Sequence, residues 1–242
     1  MIPARLGSTR LPHKPLCLFA GEPLVRVTAR RALSLRLADR VVVATDDERV
    51  AAAVAPAGVE AVLTDPRHRS GTDRVAEVAQ LEPYAGYATI LNLQGDEPLM
   101  PRAAVRGALD RVWGGDAVGT AAAPLAPEAR FDTARVKVVV DETGRALRFS
   151  RVYPASGAWA CGVEVLQHIG VYAYTRQALV RWAAAPPSAG EAAEGLEQLR
   201  PLELGFPVGV ARLAHAAPPA IDTERDLADA EALVHHQNRR AV

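Results

Sequence analysis

The chain has 242 residues, with 28 basic and 28 acidic side chains, 49% hydrophobic residues and only 5% aromatics. That length suits an α/β domain with a mainly aliphatic core, and zero net charge leaves no global field to gather DNA, RNA or anionic lipid, so any anion site must be local. Cys17 and Cys161 are the only cysteines and lie far apart, which gives no basis for a zinc site or a disulfide framework. With no apolar run of membrane-spanning length and no signal-peptide pattern, the expected location is the cytoplasm, with neither a nucleic-acid nor a membrane partner.

Taken in chain order, short aliphatic runs alternate with helical patterns, the signature of βα units around a mostly parallel sheet. Leu24, Val27, Ala32 and Leu35 recur at helical spacing after Pro23. A buried strand follows from Val41 to Thr45, then a helix from about Asp47. Val62 and Leu63 mark a short strand, and Thr72 to Leu81 a helix. Thr89 to Leu93 reads as a strand ending in Gln94-Gly95-Asp96-Glu97-Pro98, and Pro101 opens the next helix. Beyond about residue 123 the texture changes: Val136–Val140 and Arg145–Phe149 flank Asp141-Glu142-Thr143-Gly144 as an antiparallel hairpin. His168 to Tyr174 is a strand leading into a helix, Val208 to Leu213 is the last strand, and Thr223 with Asp226 caps the final helix. The whole of 1–242 reads as one domain.

The beginning departs from this regularity. The loop Pro3-Ala4-Arg5-Leu6-Gly7 stands where a first strand should just have ended, yet only Met1 and Ile2 precede it. Several residues of a central strand are therefore expected to be missing, with a weaker core as the result. Residues 3–15 hold Arg5, Arg10 and Lys14 among Gly7, Ser8, Thr9 and two stiffening prolines, with no acid before Glu22. Dense positive charge and small residues at a strand exit suit a phosphate chain. All basic residues but Lys14 and Lys137 are Arg, so a retained Lys points to a need for an ammonium. Asp96, at another strand exit, faces a cleft of this type.

The stretch IPARLGSTRLPHKPL at 2–16 resembles the nucleotide-binding signature of the Kdo (3-deoxy-manno-octulosonate) cytidylyltransferases. The resemblance continues in order through VATDD at 43–47, HRSGTDR at 68–74, NLQGDEP at 92–98, VKVVVD at 136–141, FSR at 149–151, HIGVYAY at 168–174 and LEQLR at 196–200. It implies a nucleotide-diphospho-sugar transferase-like α/β fold: a mostly parallel twisted sheet flanked by helices, with a smaller antiparallel region. It places sugar binding and homodimer formation in about 124–205. The implied reaction joins CMP from CTP to Kdo and releases diphosphate, activating Kdo for lipopolysaccharide synthesis.

The same resemblance implies Mg²⁺ held by Asp96 and Asp222, with Arg10, Lys14 and Asp96 catalytic. It puts the nucleotide at Pro3, Ala4, Arg5, Ser8, Arg10, Lys14, Ser70, Gly71 and Arg74, and the sugar at Gln94, Arg151, His168, Tyr172, Glu197 and Gln198. On the residues alone, Asp222 reads as a helix-entry residue, Ser70 to Arg74 as a capped helix start, and Lys137 as either a site residue or a solvent-facing one. His168 and Tyr172, both even-numbered on one strand, share a face. Residues 152–167 depart from the family pattern beside the sugar residues. This keeps open a cytidylyltransferase for another acidic sugar, such as an 8-amino Kdo analogue or a sialic acid, while the missing first strand keeps open a non-catalytic nucleotide-sugar-binding homologue.

Overall fold

A computed structural model describes residues 1–7, 10–153, 163–218 and 220–240. In chain order the elements are β1 (Ile2–Ala4), β2 (Leu18–Phe19), β3 (Glu22–Pro23), α1 (Leu24–Leu35), β4 (Val42–Thr45), α2 (Glu48–Val54), β5 (Glu60–Leu63), α3 (Gly71–Gln80), β6 (Thr89–Leu93) and α4 (Arg102–Trp113). There follow β7 (Val118–Pro124), β8 (Lys137–Val140), β9 (Ala146–Ser150), β10 (Glu164–Thr175), α5 (Arg176–Ala184), α6 (Ala189–Glu194), α7 (Leu199–Glu203), β11 (Val208–Arg212) and α8 (Glu224–Arg240). They gather into two compact units. The first is Met1–Ala85 with Asn92–Met100 and Pro218–Val242; the second is Gly86–Leu91 with Pro101–Ala217. The stretch 124–205 falls inside the second.

The first unit carries a parallel sheet in the order β1-β4-β5. Ile2, Pro3 and Ala4 pair with Val43, Ala44 and Thr45. The expected missing strand is thus present in short form: Pro3 and Ala4, read from sequence as loop, are buried strand residues. Pro3 has no N–H to give, but β1 still bonds on its other side, where Leu93 N–H donates to the Met1 carbonyl at 3.0 Å. Helix starts follow local chemistry. Asp47 caps α2 by accepting from Arg49 N–H at 2.8 Å. Ser70 and Asp73 form a reciprocal capping box on α3, and Thr223 and Asp226 another on α8. Each such cap contributes about 1 kcal/mol. A core of Leu11, Phe19, Leu24, Ile221 and Ala230 joins the basic loop and α1 to the last helix.

The second unit is built on a six-stranded sheet in the order β11-β7-β10-β8-β9, with β6 also paired to β10. β11 runs parallel to β7, whereas β10 is antiparallel to β7 and β8. The β8–β9 hairpin turns on Asp141, whose Oδ1 accepts from the N–H of Thr143 and of Arg145 at 2.9 Å each, with Gly144 at φ +80° supplying the left-handed residue. β10 outruns the expected His168–Tyr174 at both ends and contains a bulge: Ile169 faces Ala121, and the next pair is Tyr172 with Thr120.

Candidate active site

The first unit brings together three segments remote in sequence. Lys14 Nζ lies 2.6 Å from Asp96 Oδ2 and 2.8 Å from Asp222 Oδ1, and Arg10 Nη1 lies 3.0 Å from Asp222 Oδ2. Lys14 is held because its neighbours are fixed: Leu11 and Pro15 are buried, and a short 3₁₀ turn (Lys14–Leu16) follows His13, which sits at φ +54°. Asp96 is held by a tight turn in which Glu97 N–H donates to Gln94 O at 3.2 Å and Thr28 Oγ1 donates to Gly95 O at 3.0 Å. Gly95 is required there, since a Cβ would stand 2.9 Å from the Pro3 carbonyl oxygen. Asp222 is placed by its neighbour Ile221, fully buried, whose N–H donates to the Asp96 carbonyl at 2.9 Å. Two carboxylates are thereby tied backbone to backbone.

The electrostatics follow from this arrangement. Burial by itself would lower the pKa of Lys14, but the charges of Asp96 and Asp222 outweigh it and the net shift is upward. Burial would raise Asp222, yet Lys14 and Arg10 outweigh it and hold the carboxyl below its ordinary value. Lys14, Asp96 and Asp222 keep 17%, 24% and 26% of their side-chain surface exposed, so a ligand has access to all three.

The remaining nucleotide-side residues divide. Gly71, first in α3, packs on Pro3: a Cβ there would meet Pro3 Cγ at 3.1 Å and Gln94 Oε1 at 3.5 Å. The segments holding Pro3, Gly71 and Gln94 are therefore neighbours. Ala4 is buried and Arg5 exposed. Ser70 acts as the helix cap, its Oγ accepting from Asp73 N–H at 3.1 Å. Ser8 lies outside the described residues. Arg74 differs from the expectation of a nucleotide contact, because its guanidinium is buried against Thr64 and against Asp46 Oδ2 at 3.1 Å. Sequence reasoning did not single out Asp46. The available signal was a pair of acids at a strand exit where only Asp47 is needed as a cap.

The expected sugar residues other than Gln94 lie in the second unit. The bulge adds two residues, so His168 and Tyr172 still share a face, with rings 5.4 Å apart. His168 also meets Phe149 edge-on at 5.0 Å. Its Nε2 lies 2.9 Å from Thr120 Oγ1, whose own proton goes to Val171 O at 2.7 Å; the imidazole is then the donor. Burial pushes the His168 pKa down to about 3, so the ring is neutral. Arg151 donates to the Glu194 and Thr133 carbonyls, both at 3.2 Å. Lys137, undecided from sequence, is 1% exposed and donates to the Asp132 and Arg151 carbonyls at 2.5 and 3.0 Å. Gln198 is buried and Glu197 half-buried. Most of the divergent 152–167 segment lies outside the described residues. Among the described residues no helix is long and apolar enough to cross a membrane.

An α/β fold that gathers a cationic loop, one aspartate at a strand exit and a second at a helix entry is the arrangement of a nucleotidyltransferase. A family model described as cytidylyltransferase matches residues 1–207. The chain is 48% identical to a 3-deoxy-manno-octulosonate cytidylyltransferase of Gemmatimonas aurantiaca over 94% of its own length and 90% of that protein's. It is 44% identical to 3-deoxy-manno-octulosonate cytidylyltransferase 2 of Burkholderia ambifaria over 100% and 94%. A solved CMP:2-keto-3-deoxy-manno-octonic acid synthetase, complexed with CTP, superposes with a TM-score of 0.86 at 37% identity, covering 98% of this chain and 97% of that one. The chain belongs to the cytidylyltransferase family.

Proposed function

We propose that the protein is a 3-deoxy-manno-octulosonate cytidylyltransferase. The anomeric hydroxyl of Kdo attacks the α-phosphorus of CTP, a new P–O bond forms, the bond to the β-phosphate oxygen breaks, and diphosphate leaves in line. The observation that carries this reading is the convergence of Lys14, Asp96 and Asp222 beside Arg10. The relatives it matches over nearly their whole length are named for this sugar.

The donor set fits Mg²⁺, which takes hard oxygen ligands and is commonly held by one or two carboxylates with phosphate and water. Among the described residues no group of three or more His, Cys, Asp or Glu side chains gathers around a metal position. A cation held by Asp96 and Asp222 would complete its shell from nucleotide and water. When bound, it would neutralise phosphate charge and lower the pKa of the sugar hydroxyl. Arg10 and Lys14 hold the triphosphate and offset charge on the departing diphosphate. Pro3, Ala4, Arg5 and the Ser70–Gly71 turn receive the base and ribose. Within the second unit the sugar is assigned to Arg151, His168, Tyr172, Glu197 and Gln198. There the neutral His168 and the Tyr172 hydroxyl offer uncharged polar groups, and Arg151 answers the carboxylate.

A cytoplasmic homodimer making a precursor for lipopolysaccharide completes the reading. Large apolar side chains left exposed on the second unit, Phe131 at 86% and Val152 at 67%, suit a subunit interface, and light scattering at micromolar concentration checks the mass. Diphosphate release is the decisive assay: CTP with Mg²⁺, offered Kdo, its 8-amino analogue and a sialic acid, with ATP, GTP and UTP beside CTP. The expected result is release with CTP and Kdo alone. Preference for either other sugar would reassign the acceptor, and tight CTP binding without release would make the protein a binding homologue.

A further inference from the structure

Two acids leave strand β4 side by side. Asp47 is committed to its helix: its carboxylate bonds Arg49 through N–H at 2.8 Å, Nε at 2.9 Å and Nη2 at 2.8 Å. Asp46 has a different set of partners. Its Oδ1 accepts from the backbone N–H of Leu6 at 3.2 Å, in the basic loop after β1. Its Oδ2 accepts from Arg74 Nη2 at 3.1 Å, in the second turn of α3. Arg74 is 2% exposed, and its other nitrogen bonds Thr64 Oγ1 just past β5. Thr64 in turn donates from Oγ1 and N–H to the Thr45 carbonyl, at 2.9 and 2.8 Å. A single carboxylate therefore links the exits of three parallel strands and the start of one helix. The two segments it joins, the loop after β1 and the turn at Ser70–Gly71, are the ones assigned to the nucleotide above.

We propose that Asp46 is the positioning residue for the nucleotide, a clamp that sets the basic loop against α3, and that Arg74 is the clamp's second half and not a nucleotide ligand. The inference rests on the functional reading for its kinetic consequences, and on the geometry alone for its structural ones. A buried guanidinium strongly disfavours loss of the carboxylate it is paired with. The Leu6 N–H fixes the loop four residues before Arg10 and eight before Lys14. Loosening it moves the cations and leaves the carboxylates Asp96 and Asp222 in place.

The test is steady-state kinetics on Asp46→Ala, Asp46→Asn, Arg74→Met and the Asp46→Ala/Arg74→Met pair, with hydrogen exchange at the Leu6 amide of each. Asp46→Ala is expected to raise KM for CTP about tenfold or more and to leave KM for Kdo within about twofold. Asn can accept from only one of the two donors, so Asp46→Asn should raise KM for CTP about threefold; it carries the test if the alanine variant does not fold. The double variant should match the worse single one, since both remove one link, and Leu6 exchange should quicken in each. KM for CTP within twofold of wild type in both Asp46 variants, or additive losses in the pair, would overturn the clamp. If wild type releases no diphosphate from CTP, the functional reading fails and Leu6 exchange decides the clamp: unchanged protection in Asp46→Ala overturns it, faster exchange supports it.

Discussion

The chain keeps two lysines, one in each unit, and their surroundings are opposite. Lys14 stands between two carboxylates in a half-open cleft, with its pKa raised. Lys137 is enclosed, bonded to two backbone carbonyls, and its pKa is lowered by burial, which the nearby Asp132 offsets only in part. The first is an ammonium kept for its charge, placed where a polyanion would need it. The second is kept as a compact multiple donor that ties the Asp132 and Arg151 backbones together. Exposure and partner type separate the two where residue identity does not, and the same test would sort any sparse residue in a biased composition.

This contrast can be broken. The largest expected effect is on turnover: Lys14→Ala should lower kcat/KM for CTP about a hundredfold, or about 3 kcal/mol, with little change in unfolding midpoint. Lys14→Arg should not restore it, because a planar fork cannot replace a point charge between two carboxylates. Normal turnover in Lys14→Ala would put Lys14 in the same structural class as Lys137. For Lys137→Met the effect should fall on stability, about 2 kcal/mol in urea unfolding for two carbonyls left without their donor, while kcat per folded molecule changes severalfold at most.

A smaller effect sharpens the contrast through a third base, His168. Among the described residues His168 has no counter-ion, and burial holds its pKa at about 3, below the unfolded value near 6.5. Between those values the unfolded chain binds a proton that the folded chain refuses. The stability is fully present above about pH 6.5 and is lost as pH falls toward 3, by at most about 1.4 kcal/mol per pH unit. A His168 imidazole NMR signal, assigned by its loss in His168→Gln, that titrates near 6.5 would contradict this, and the same variant should flatten the acid limb of the stability profile. The smallest effect concerns the backbone beside Lys14. His13 holds φ +54°, so His13→Gly should relieve about 1 kcal/mol of strain, offset by the entropy glycine adds to the unfolded chain. The net change in melting temperature should be a few degrees or less.

Local signals carried much of the fold to the reader of the sequence. Helix α1 was legible because its apolar spacing follows a proline, and α8 because Thr223 and Asp226 are a capping pair three residues apart. Strand β6 was legible in full, as an apolar run ending in Gly95-Asp96. Where sequence reading fell short, the cause was non-local. β1 is only three residues long, and what makes it a strand is its pairing with β4 and the Leu93 bond, neither visible within its own residues. Asp222 reads alone as a helix entry; its place beside Asp96 comes from one backbone bond across the fold. Arg74 fits a ligand pattern in its motif, and only the burial that the fold imposes turns it inward. The bulge in β10 inserts two residues, an even number, so His168 and Tyr172 stay on one face as strand alternation predicts.

The bond from Ile221 N–H to the Asp96 carbonyl has a bearing on where this protein can be cut. The family match ends at residue 207, short of Ile221, Asp222 and α8. A fragment trimmed to that boundary would keep every basic group of the loop and discard one of the two acids that face it. It would also strip Ile221 and Ala230 from the cluster that covers Leu11, Phe19 and Leu24. The segment past that boundary is therefore no appendage: it supplies Asp222 opposite the basic loop and covers part of the first unit's core.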